Sequence, residues 1–116
     1  MSLLARSVTG LVPLDESVQV LAPVVTANPN FPGSTYLEWS NATVAATLKG
    51  RLVPASTRAL ERTGRVGKAG VHELFTTPTA LITPLGRVRI GSRVFTVLDA
   101  RAYRQRLHAI VEEVSA

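Results

Sequence analysis

The residues from which acid–base or metal chemistry could be assembled are few. The only histidines are His72 and His108, and the acidic residues around them are Glu73, Asp99, Glu112 and Glu113. A nucleophilic mechanism needs a nucleophile with a base in reach and a third group to orient that base, and no such spacing is present. His72 and Glu73 are adjacent, so on a strand they point to opposite faces. Asp99, Glu112 and Glu113 form no recognisable ligand spacing. Glu112 and Glu113 could in principle share acid and base roles, but neighbouring strand residues diverge. His108 sits among Leu107, Ala109, Ile110 and Val111, as a half-buried strand residue would. The chain has no cysteine, which removes disulfides and thiolate metal sites. We therefore expect no catalytic, cofactor-binding or metal-binding residues and no enzymatic activity.

The cations carry a stronger pattern. The net charge is +5, with 11 Arg against 2 Lys, and Arg is the cation suited to paired contacts with carboxylate or phosphate. Arg58, Arg62, Arg65 and Lys68 form one group with Glu61 as its only opposite charge. Arg58 and Arg62 share one side of a helix by their spacing of four. Arg87, Arg89 and Arg93 form a second basic face, in which the two-residue period sends Arg87 and Arg89 outward while Val88 and Ile90 turn inward. Base-stacking readers of nucleic acid interleave aromatics with such cations. The candidates here, Phe75 and Phe95, fit the core better, and Trp39 reads as the plug of a core poor in aromatics.

Positioning these groups requires a mainly β chain, a small β-barrel or sandwich with one short helix. Residues 1–17 mix Ser, Thr, Gly10, Pro13 and the pair Asp15-Glu16, an extended N-terminal arm. Val18 to Val25 reads as a strand, at an edge because of Pro23. Asn28-Pro29-Asn30-Phe31-Pro32-Gly33 is a turn block, and Thr35 to Trp39 resumes an extended run. Ala42 to Val53 is β-branched enough for a strand, with Gly50 as a bulge. Pro54 ends it, Ser56 caps a helix of about two turns, and Gly64 closes that helix. Arg65 to Gly70 is a Gly-rich loop with little to bury. Short runs follow at Val71 to Thr76, Ala80 to Thr83, Val88 to Ile90, Val94 to Leu98 and Leu107 to Val114. Gly91-Ser92 is a two-residue hairpin turn, and Asp99 to Gln105 is a polar turn or brief helix. The β core is thus 18–53 and 71–114, interrupted by a helix-loop insertion over 54–70, in one domain of 1–116.

Apolar residues make up 46% of the chain and aromatics 5%, so the core is built from Val, Leu and Ala. No apolar run nears the ~20 residues of a membrane-spanning helix, and the opening residues do not read as an export signal. No membrane partner is expected.

The order of Trp39, Ala42-Thr43-Val44-Ala45-Ala46, Val53-Pro54-Ala55-Ser56, a short helix and the late hairpin Arg87 to Val97 resembles the head-tail joining proteins of tailed bacteriophages, over about residues 35–114. The resemblance implies a structural phage neck protein, the head-to-tail connector called stopper or head closure. Such a chain forms a homo-oligomeric ring of roughly six or twelve copies. Its neighbours would be a portal or adaptor ring above and tail proteins below. It would reside in the neck of the virion, be assembled in the host cytoplasm and make non-specific contact with packaged DNA. The insertion, with Ser56, Arg58, Arg62, Arg65 and Lys68, would face the DNA channel. Two alternatives stand beside it: a tail terminator or other neck ring protein, and a small β-barrel that binds nucleic acid through Arg87, Arg89 and Arg93.

Overall fold

The computed structural model describes residues 13–114. Six strands and one helix follow in the order β1 (Glu16–Ala27), β2 (Thr35–Pro54), α1 (Thr57–Thr63), β3 (Val71–Thr76), β4 (Arg87–Ile90), β5 (Arg93–Ala102) and β6 (Leu107–Glu113). Every pairing is antiparallel, and the sheet closes on itself as a barrel in the order β1-β2-β3-β6-β5-β4. The fold is mainly β with one short helix, and of the two expected architectures the barrel is the one formed.

Strand alternation explains the interior. Val18 and Val20 of β1, Leu74 of β3, Val88 of β4, Phe95 and Val97 of β5, and Leu107, Ala109 and Val111 of β6 all point inward and are buried. Ile82 joins them from the loop before β4. Phe95, fully buried, anchors the core. The expectation that Trp39 would do so is corrected: Trp39 is half-buried and outside both apolar clusters, because its stretch of β2 turns out of the barrel. Phe75 is likewise not interior. It faces outward and stacks on His108, ring centroids 4.7 Å apart.

α1 lies against the outer wall. Ala59 packs with Val71 and Ile110, flanked by Ala55, Leu60 and Leu98. A β5 irregularity between Val97 and Asp99 makes this possible, since it shifts the alternation by one residue. Leu98 thereby reaches the helix, and Asp99 pairs with Arg62 at 3.1 Å. Ser56 caps the helix as expected, its Oγ accepting the Ala59 N–H at 3.2 Å, and Gly64 ends it in the left-handed region at φ 70°.

Several expectations are displaced by closure of the sheet. Glu16 and Ser17 belong to β1 rather than to an arm, because Glu16 accepts the Leu52 N–H at 2.8 Å and Asp15 pairs with Arg51 at 2.9 Å. The rest of that arm, residues 1–12, lies outside the described residues. β1 is an edge only in part: Gln19 to Leu21 pair with both β2 and β4, whereas Pro23 and the residues after it have no β4 partner, as the proline predicted. Asp99 to Ala102 continue β5 instead of forming a turn, since β6 offers them a partner through Ile110, Ala109, His108 and Leu107. Ala80 to Thr83 form no strand.

Gly50 is a corner rather than a bulge. It pairs with Glu16 on β1 and with Thr76 on β3, where β2 passes from one partner to the next. A Cβ there would meet Val18 Cγ2 at 2.6 Å and the Phe75 carbonyl oxygen at 2.8 Å. Backbone on one side and a core side chain on the other leave no room. Gly50→Ala is expected to destabilise the chain by about 1–3 kcal/mol, read as a lower urea midpoint.

The helix is also tied to the barrel through one carboxylate. Glu73 Oε2 accepts the Ser56 N–H at 2.7 Å and its Oε1 meets His108 Nε2 at 2.7 Å. Burial pushes the Glu73 carboxyl up, but the bonds from the Ser56 backbone and from His108 outweigh it and hold it below its ordinary value of 4.5. A depressed folded-state value contributes stability that is full above pH 4.5 and is lost as the pH falls through the folded value. Glu73→Gln should cost about 1–3 kcal/mol at pH 7. The gap from wild type should narrow in denaturant titrations below pH 4.5.

Candidate functional site

The helix and the loop after it bring the first basic group onto the barrel wall. Arg62 pairs with Asp99, while Arg65 and Lys68 converge on Glu112 at 3.4 and 3.5 Å. Arg65 is half-buried, and its backbone N–H closes on the Leu60 carbonyl at 2.8 Å. Farther along, the Gly70 carbonyl accepts the Glu113 N–H at 2.8 Å. The loop is therefore fastened to β6 at two points, and the cations expected to project from it spend their charge on carboxylates of the barrel. Arg58 is exposed on α1, and Ser56 is occupied as the helix cap.

The second basic group forms a concave surface. Val88 is buried in the core, so Arg87 and Arg89 both turn to the outside of β4, as alternation requires. Three of the four β2 residues Trp39 to Ala42, which lie opposite the single Pro23 where the pairing jumps from Ala22↔Thr43 to Val24↔Glu38, rise beside them. The guanidinium of Arg87 sits over the Trp39 ring, 5.1 Å from its centroid. Arg89 Nε donates to Gln19 Oε1 at 2.7 Å. Arg93, at the hairpin turn, holds Glu113 by two bonds of 2.8 and 3.1 Å. The bond from Arg93 keeps the Glu113 carboxyl below its ordinary range, and the same bond raises Arg93. Trp39, Arg87, Arg89, Arg93 and Glu113, together with Ser40 and Ser92, line a groove of about 890 Å³. Arg87, Arg89 and Arg93 are thus brought to one site, and Trp39, taken from the sequence as core, joins them.

A third surface was not singled out by sequence reasoning. Beyond Leu21, β1 has no β4 partner, and β2 meets β3 only from Gly50 onward. Among the described residues, Val24–Ala27 and Thr35–Glu38 pair only with each other, and they project from the barrel as a two-stranded hairpin. The cross-strand pair Val25 and Leu37 is 64% and 57% exposed, and Phe31 at the tip is 65% exposed. The same face runs down to an apolar hollow of about 360 Å³ that includes Pro23, Leu37, Leu81 and Leu85. The signal was available: Val24, Val25, Tyr36 and Leu37 flank the turn block without the alternation that a half-buried strand needs.

As for acid–base chemistry, Glu112 and Glu113 diverge to Lys68 and Arg93, and no cluster of metal-ligating residues is found among the described residues. No helix is long and apolar enough to cross a membrane among those residues.

No protein-family model matches the sequence, and no curated protein matches it. Among the solved structures that share the fold are the two that follow. Protein SF1141 from Shigella flexneri 2a, a solution structure, superposes with a TM-score of 0.61 at 16% identity, over 88% of this chain and 94% of that one. A chain of the virion of a native gene transfer agent particle superposes with a TM-score of 0.61 at 18% identity, over 91% of this chain and all of the other. At such identities the likeness is one of fold, and it extends over nearly the whole of each chain.

Proposed function

We propose that this chain is a structural protein of a phage-like virion, a head-to-tail connector that forms a ring at the neck. The observation that carries the proposal is the shared fold, over the whole length of the other chain, with a component of a gene transfer agent virion. The projecting hairpin supports it. Its two strands leave their outer edges without a ladder partner among the described residues, and its Val25–Leu37 pair is open to solvent. Unpaired edges and an apolar face are costly on a monomer, and both are relieved by a neighbouring subunit. A head-to-tail contact of this kind closes into a ring when its rotation divides a full turn.

In this assignment the ring holds roughly six or twelve copies, with a portal or adaptor ring above it and tail proteins below. The chain assembles in the host cytoplasm and stays in the virion neck. The 54–70 segment faces the DNA channel as a firmly seated wall element, because Arg62, Arg65 and Lys68 are anchored by Asp99 and Glu112. That anchoring suits a stopper acting through the position of its ring better than one acting through a free loop.

Cryo-electron microscopy of purified particles should reveal a neck ring into which this barrel and hairpin fit. Particles with complete necks that lack the chain would overturn the assignment. Val25→Asp combined with Leu37→Asp should leave the circular dichroism melt within about 1 kcal/mol of wild type, as surface changes do. The same change should yield capsids without tails.

A further inference from the structure

We propose that the groove formed by Arg87, Arg89 and Trp39 binds the phosphate backbone of nucleic acid without reading its sequence. The proposal rests on how charge is distributed over the molecule. Arg51, Arg62, Arg65, Lys68, Arg93 and Arg101 each lie within ion-pair distance of a carboxylate. Arg87 and Arg89 do not. They are half-buried, side by side on one face of β4, and their partners are an indole ring and a neutral amide. Residues 1–12 contain no Asp or Glu, so no side chain from that segment could neutralise them. The one carboxylate lining the groove, Glu113, is held by Arg93, so the two guanidinium groups of Arg87 and Arg89 favour an anion there, and each keeps N–H donors beyond the bonds just named.

The geometry selects a backbone rather than a small anion. Residues two apart on a strand are about 6.5–7 Å apart, comparable with the spacing of successive phosphates along a nucleic-acid strand. The groove, at about 890 Å³, is roomy for a single phosphate and suits an elongated ligand. Ser92 in its lining adds a hydroxyl donor. Trp39 carries Arg87 on its ring and lines the floor, so it orients a cation toward phosphate. Recognition of this kind depends on charge and is indifferent to base sequence.

Fluorescence anisotropy of the full chain with a labelled mixed-sequence DNA duplex, from about 50 to 200 mM salt, tests the proposal. Trp39, the only tryptophan in the chain, reports in parallel by its emission. Wild type should bind with a steep salt dependence and a change in Trp39 emission. R87A/R89A should bind about tenfold more weakly, with the salt slope reduced by about two phosphate equivalents. R87K/R89K should keep most of the affinity, and K49A/R104A, which removes equal charge elsewhere, should stay within about twofold.

Absence of binding at the lowest salt overturns the proposal, as does an equal loss in K49A/R104A. Polyglutamate binding as tightly as DNA, with the same Trp39 response, would make the groove a dock for an acidic protein instead. If R87A/R89A does not fold, the wild-type titration decides, since saturation by DNA with Trp39 emission unchanged is also disproof. None of these outcomes depends on where the chain resides in a particle, so this proposal and the connector assignment fail separately.

Discussion

Closure of the sheet rests on one strand serving two neighbours. β2 pairs with β1 as far as Gly50 and with β3 from Gly50 onward, and the handover occurs where a Cβ would collide with both the Val18 side chain and the Phe75 backbone. Without that close approach β3 could not continue the sheet, β6 and β5 would lose their place beside it, and β4 would not return to β1. Bringing the strands round also encloses Phe95, Leu74, Val88 and Val111, so a core with few aromatics still excludes water.

The functional surfaces follow from the same constraint. A barrel of short strands has no use for the far halves of β1 and β2, which leave it at Pro23 and, among the described residues, pair only with each other. That departure creates the apolar hairpin and draws Trp39 out of the interior. On the opposite wall, the β5 irregularity turns Leu98 and Asp99 toward α1 and so recruits the first basic group into structure. Charge that looked available in the chain is spent on fastening the helix and its loop. Arg87 and Arg89 on β4 meet an indole ring and a neutral amide instead.

Much was legible because it depends on neighbours in the chain. The Ser56 cap and Gly64 stop, the Gly91-Ser92 turn, the outward Arg87 and Arg89 and the divergent Glu112 and Glu113 are all set by local periodicity and backbone preference. What misled was context. Phe75 and Phe95 differ by fates that no local pattern distinguishes, since one faces the barrel axis and the other a histidine on the adjacent strand.

The sequence by itself therefore determined a mainly β chain with one capped helix, two groups of arginine and a divergent Glu112 and Glu113. Those properties are carried by residue type and spacing within a few positions. Only the tertiary structure decided which arginines are ion-paired, because in the first basic group the pairing depends on carboxylates 37 to 47 positions away, as Asp99 is from Arg62 and Glu112 from Arg65. It also decided that Trp39 belongs to a groove, since strand pairing across the sheet, rather than hydrophobicity, fixes which face of β2 is inside.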